Sequence, residues 1–249
     1  MSKSFFCGDT EIQFNERKHQ FSRQFGQHTV LIPSVTQFTG IIDKSAPLLK
    51  WAERLSRERL IWIADSLLPI TPEDIAEATS LYQREKAEAA EIGNLVHTAI
   101  EEWVKRDVVP DTTDMRILNA FEAFREFEKD YQPEWIAAEQ FIYSRQYDFA
   151  GIFDLLGSIK GEKVLIDLKS GNSLYPEYAF QTAGYQLAYE EMTGETIDYR
   201  MLLRLDKKKI KYEVKECRNN KEDRKAFLCC QFLRKRLRGV EAEWKGVTL

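Results

Sequence analysis

The spacing of apolar residues changes character along the chain, and each change predicts an element. Near the start, Glu11 to Phe14 and His19 to Arg23 alternate as strands do, and Ser34 caps a helix. From Leu48 to Ala64 the apolar positions recur at helical spacing. Thr71-Pro72-Glu73-Asp74 then supplies an N-cap, a proline at the first helical position and an acidic first turn. That helix is expected to run to about Arg106, with a break near Gly93, and another to cover Met115 to Asp130. Three strand-like runs follow, WIAAEQFIY, FAGIFDLLGSI and KVLIDLK. A helix around Gln181, two more strand-like runs (IDYRMLLRL and KIKYEVKEC) and a closing helix from Asn220 to Arg238, ended by Gly239, complete the chain. This is an α/β order.

The second and third of those runs carry the most pointed chemistry. If Lys160 and Gly161 form a two-residue turn, Ile159 pairs with Glu162. Counting back, Asp154 falls opposite Asp167, with Cβ atoms roughly 4.5 to 5.5 Å apart, and Lys169 shares their face. Two like charges ~4 Å apart repel by about 1 kcal/mol in water and by several times that near a protein interior. A divalent cation on oxygen ligands would relieve this, with Lys169 beside it to meet a phosphate or an attacking water. A three-residue loop would turn one aspartate to the other face. The plain alternative is a surface Asp167–Lys169 ion pair worth about 0 to 1 kcal/mol. Against it, Val164, Leu165 and Ile166 lead straight into the charges, as in a strand buried on both faces.

Three further positions are candidates on their own chemistry. His97 shares a helix face with Gly93 and Glu101, and its imidazole could ligate the same cation, shifting preference toward manganese; a satisfied, half-buried histidine is the bland reading. Gln181 and Tyr185 lie four apart on one helix face, which serves ordinary packing or supports Lys169. Glu139 could ligate a second ion, orient a water, or pair with Arg145 at the surface.

Taken in order, Gly93-x-x-x-His97, Glu139, Gly151-x-x-Asp154, Asp167-x-Lys169 and Gln181-x-x-x-Tyr185 resemble the PD-(D/E)XK nuclease superfamily. The likeness is to its branch of RecB-type, phage lambda-type and mitochondrial genome maintenance exonucleases. Upstream, HQFSRQFGQHTVLIPSVTQFTGII resembles the hairpin and helix start of phage-encoded members, so the resemblance runs from about His19 to Tyr189. It implies an α/β fold with a mixed central sheet flanked by helices, an N-terminal β-hairpin (1–33), a helical arch (34–110) and a nuclease core (111–249) in one domain. The implied activity is metal-dependent hydrolysis of DNA phosphodiesters, with an exonuclease favoured and single strands or free ends as substrate. Asp154, Asp167, the Leu168 carbonyl and His97 would hold one or two Mg²⁺ or Mn²⁺ ions. Lys169 would stabilise developing charge, Gln181 would orient Lys169, and Glu139 and Tyr185 would support the site. Ser34, Thr36 and Arg54 are candidates to contact a terminal phosphate.

Composition adjusts this picture in three places. Net charge is −4, unusual for a nucleic-acid partner, but basic residues cluster at Arg54, Arg57 and Arg59, at Lys207 to Lys211, and at Arg234 to Arg238. No run reaches the ~18 apolar residues of a membrane span, and the start lacks a secretion-signal pattern, so an intracellular, cytoplasmic enzyme is expected. The four cysteines, Cys7, Cys217, Cys229 and Cys230, match in number the iron-sulfur cluster of some RecB-type relatives, including nucleases of CRISPR adaptation. Their spacing does not, so reduced thiols are the expectation. A nuclease fold that binds DNA or a partner without cutting is the remaining alternative.

Overall fold

A lysine and a glycine settle the register of the central hairpin. Lys160 (φ 54°) and Gly161 (φ 83°) both adopt the left-handed backbone that a two-residue type I′ turn requires. They join β6 (Phe149–Ile159) to β7 (Glu162–Lys169), and pairing runs from Ile159↔Glu162 to Leu155↔Ile166, as the turn predicts. This computed structural model describes residues 2–6, 8–66 and 69–246. It contains two compact units, one of Met1–Ile42 with Val96–Leu249 and one of Asp43–Leu95.

In the larger unit, the aromatic-rich residues before the first helix form four short strands in sequence order: β1 (Ser2–Phe5), β2 (Thr10–Asn15), β3 (Gln20–Phe25) and β4 (His28–Ile32). The expected hairpin is thus a four-stranded antiparallel sheet. Four of the five residues of β4 are exposed, so it lacks the apolar alternation that reveals a strand. Ile12, Phe14, Phe21 and Ile32 pack against Phe141, Tyr143 and Ala150. Ser34 caps α1 (Val35–Thr39) through a reciprocal capping box with Gln37.

The main sheet has the order β5-β6-β7-β8-β9, with β5 at Glu134–Ser144, β8 at Tyr199–Leu205 and β9 at Tyr212–Cys217. It is mixed: β7 and β8 are parallel and the other neighbours antiparallel. The parallel step needs a crossover, and α5 (Glu177–Thr193) supplies it. Val35, Phe38, Phe149, Phe153, Tyr185, Tyr189 and Phe227 form one buried cluster that joins α1, α5 and α6 (Asn220–Trp244) to the sheet. The helix α4 (Met115–Tyr131) buries Ile117, Phe121, Phe124 and Phe127. Phe124 stacks on Trp135, and Phe127 meets Tyr212 edge-on.

In the smaller unit, α2 (Ser45–Ala64) lies against the first half of α3 (Pro72–Arg106). The Ser56 hydroxyl donates to the Ala78 carbonyl at 3.0 Å, Arg59 pairs with Glu77 at 2.9 Å, and Trp51 meets Tyr82 edge-on. Thr71 and Asp74 cap α3 reciprocally, as the sequence predicts.

Two expected helix ends differ. No break occurs near Gly93, since α3 runs unbroken to Arg106. Gly239 does not end α6, which continues to Trp244. One interior glycine costs only ~1 kcal/mol, and the Arg236–Glu243 ion pair at 2.8 Å spans it. Among the described residues, no helix is long and apolar enough to cross a membrane.

Candidate active site

The β6–β7 ladder stops one position short of the two aspartates, and side chains take over where backbone pairing ends. Asp154 Oδ2 accepts the Leu168 N–H at 2.7 Å, and Asp154 Oδ1 lies 2.9 Å from His97 Nδ1. On β7, Asp167 is buried (2% exposed), with Lys169 Nζ 2.6 Å from its Oδ2. Lys169 also sits over the Tyr178 ring at 4.6 Å, a cation–π contact that helps fix the ammonium.

From α5, Gln181 Nε2 donates to Tyr185 Oη at 2.9 Å and reaches Asp167 Oδ1 at a long 3.4 Å. The amide thus meets the carboxylate that pairs with Lys169 and reaches the lysine only through it. The motif glycine also gains a reason. A Cβ at Gly151 would meet Tyr185 Cε1 at 2.9 Å and Val35 Cγ2 at 3.2 Å, so only glycine lets Tyr185 settle here without displacement.

The other neighbour of β6 adds a carboxylate. In β5, Ala138 pairs with Leu155 and Gln140 with Phe153, so Glu139 stands at the position facing Asp154. Its φ of 53° is a left-handed conformation that costs a non-glycine residue about 1–2 kcal/mol. Strain of this kind gathers at functional sites. His97, Glu101, Glu139, Asp154, Leu155 and Leu168 line one small cleft. Glu101 has no role in the sequence reading, although its position one turn after His97 was the available signal. It pairs with Lys105 at 2.5 Å.

Electrostatics divide the two aspartates. Burial alone would raise Asp154, but His97, Lys169 and the Leu168 amide outweigh it, and its carboxyl titrates below the usual range. Asp167 is pushed up to about 6, by burial first; Lys169 opposes this and the Asp154 charge adds to it. Burial likewise would lower His97 and Lys169, yet the aspartates facing them hold both above their ordinary values. Lys169 is therefore an ammonium at neutral pH. Glu139 is raised by burial, then by Glu101 and Asp154.

These donors suit a hard divalent cation in type: an Asp154 carboxylate whose charge raises both Asp167 and Glu139, and a buried Asp167 Oδ2 that the Lys169 ammonium approaches without a well-directed hydrogen bond. They are not gathered as a finished cage. Among the described residues no three His, Cys, Asp or Glu side chains converge closely enough to hold an ion, because His97 and Lys169 each occupy a carboxylate.

The remaining candidates lie elsewhere. Ser34 and Thr36 are engaged in the α1 cap, their hydroxyls 3.0 Å apart. Arg54 belongs to the Asp43–Leu95 unit and faces Glu58 at 3.6 Å. Cys7 is outside the described residues; Cys217 is half-buried on β9, and Cys229 and Cys230 are free thiols on α6.

Solved structures align with this chain at low identity. A protein from Eubacterium rectale designated an exonuclease superposes with a TM-score of 0.42 at 11% identity, over 64% of this chain and 69% of that one. An alkaline exonuclease from Laribacter hongkongensis gives 0.30 at 13% identity, over 59% of this chain and 84% of its own. No curated protein matches in sequence. The profile of the PD-(D/E)XK nuclease superfamily matches residues 115–246, from α4 through α6, which contain Glu139, Asp154, Asp167, Lys169 and Gln181. On that match the chain belongs to the PD-(D/E)XK nuclease superfamily.

Proposed function

We propose that this protein is a metal-dependent deoxyribonuclease that hydrolyses phosphodiester bonds from the free ends of DNA, acting on single strands. One observation carries the reading: a buried carboxylate, Asp167, is held in an unfavourable ionisation by its surroundings while a charged lysine lies 2.6 Å from it. Perturbed carboxylates beside a charged partner in a cleft gather at functional sites.

Asp154, Asp167, the Leu168 carbonyl and His97 would hold Mg²⁺ or Mn²⁺, and the bound cation would neutralise the carboxylates and polarise the phosphate. Lys169, as an ammonium, donates to the phosphoryl oxygens where charge develops and cannot act as the base. Glu139, with a raised pKa and a side chain lining the cleft, orients the attacking water and accepts its proton. Gln181 and Tyr185 hold Asp167 in place, and thereby Lys169. His97 fixes the Asp154 carboxylate at 2.9 Å.

End-labelled linear single strands and circular single strands, each with magnesium, manganese or chelator, test the reading together. The expected result is cation-dependent release of short products from linear strands and resistance of circles. Cutting of circles would remove the end requirement, and inertness with every cation would remove the activity.

A further inference from the structure

The acidic cleft cannot by itself attract a polyanion, and a basic turn beside it supplies what is missing. Strands β7 and β8 are parallel and in register, with Lys169 facing Arg204, so their carboxyl ends lie at the same edge of the sheet. Ligands of open α/β sheets bind outside that edge. Past Lys169 the chain continues through Ser170, Gly171 and Asn172; past Leu205 it makes the turn Asp206 to Lys211. Between these two loops lies a cleft of about 360 Å³, counting its open mouth, lined by Ser170, Asn172, Arg204, Asp206, Lys207 and Lys208.

The cleft is built rather than incidental. Asp206 accepts the backbone N–H groups of Lys208 at 2.8 Å and Lys209 at 3.3 Å, and its own N–H donates to the Lys211 carbonyl at 2.9 Å. Asn119 of α4 donates to the Lys207 carbonyl at 3.2 Å, anchoring the turn to the helix layer. Arg204 is held by Glu213 at 2.9 Å and faces Asp206 at 3.5 Å. The groups that line the cleft, Arg204, Lys207 and Lys208 against Asp206, carry a net positive formal charge.

The other basic clusters of the sequence are differently placed. Lys235 donates to the Tyr147 carbonyl and Arg236 pairs with Glu243. Arg54, Arg57 and Arg59 lie in the Asp43–Leu95 unit.

We propose that Lys207 and Lys208, with Ser170 and Asn172 opposite them, form a phosphate subsite for the DNA backbone, one step along the strand from the phosphate held at Lys169. Adjacent strands are about 4.8 Å apart, so cations carried past the end of β8 reach a neighbouring phosphate and not the scissile one. This rests on the nuclease reading above. It makes the two lysines positioning residues: they set affinity and the frame of the strand and leave the chemical step to Asp167 and Lys169.

The test pairs binding with cleavage. Binding of a fluorescent single-stranded oligonucleotide is followed by anisotropy with chelator present, across salt concentrations, and cleavage kinetics are measured with cation. The Lys207→Ala/Lys208→Ala variant should bind about tenfold more weakly and raise KM by a similar factor, with kcat within about twofold. Its plot of log affinity against log salt should flatten by about 0.7 for each phosphate no longer neutralised. Arginine at both positions should restore the wild-type values. Lys221→Ala/Lys225→Ala on α6, with the same change in net charge, should change neither affinity nor slope. A cutting enzyme whose affinity, KM and salt slope are unmoved by the alanine pair overturns the subsite and leaves the nuclease reading intact. An equal loss in the α6 control reduces the effect to net charge and also overturns it. Wild-type protein that neither binds nor cuts overturns both.

Discussion

The two ends of the β6–β7 hairpin are built on opposite electrostatic logic. At the turn end, Arg218 meets Glu162 through two contacts of 2.9 and 3.0 Å, and Lys163 pairs with Glu195 at 2.7 Å. Each charge there faces its complement in solvent, and Glu162 and Glu195 titrate below their usual range because of those partners. At the open end Asp167 is buried near the Asp154 charge, and Asp167 and Glu139 titrate above it. One end is arranged to be stable; the other gives up stability to keep acidic oxygens together. The same strands carry both, so the cost is a local choice of residues and not a property of the fold.

The largest effect that would break this contrast is chemical. Lys169→Ala or Asp167→Ala should lower cleavage by at least about 10³-fold, roughly 4 kcal/mol of lost transition-state stabilisation, while circular dichroism stays native. Near-normal turnover in either variant would sink the assignment of the open end.

Next comes stability against pH. Asp167 binds its proton more tightly folded than unfolded, with pKa about 6 against 3.8, so its contribution is full below pH 4 and is lost as pH rises through 6. That loss is on the order of 3 kcal/mol. His97 is also raised, so it too stabilises at low pH and loses that contribution above its folded pKa. Chemical denaturation without divalent cation should therefore show stability falling from pH 4 toward 8. Asp167→Asn should flatten the fall, and added Mg²⁺ or Mn²⁺ at pH 8 should reverse it in the wild type alone.

Gly151→Ala should cost about 1–3 kcal/mol, because the new methyl group meets the Tyr185 ring. Activity should fall with it as Tyr185 and Gln181 shift. A smaller kinetic effect, about tenfold in rate with a raised cation requirement, is expected of His97→Ala, read by metal titration. Smallest is Arg218→Ala at the turn end. Its charges are fully solvated, so the thermal midpoint should move by no more than the error of measurement, and activity not at all.

How much of this the sequence disclosed depended on which contacts are local. The hairpin is legible because a glycine in the turn fixes its length, and length fixes every pair behind it as far as Leu155 and Ile166, next to the two aspartates. Thr71, Asp74 and Ser34 were legible for the same reason, as caps that act within three residues. Glu139 facing Asp154 was not, because that depends on the register of β5 against β6 and on a left-handed backbone that no composition rule assigns to glutamate. The contact of Gln181 with Asp167 is not legible either, since the rotation of α5 about its axis depends on the packing of Tyr185 against Gly151. The tail of α6 beyond Gly239 is not legible, because a glycine reports only a local cost and α6 continues through it to Trp244.

The left-handed lysine of the central turn has a practical consequence. Asparagine adopts that conformation more readily than lysine, so Lys160→Asn is a conservative way to firm the hairpin at the end where no chemistry occurs. A scaffold reinforced there would keep folded a destabilising replacement such as Gly151→Ala, and so let its kinetics be measured.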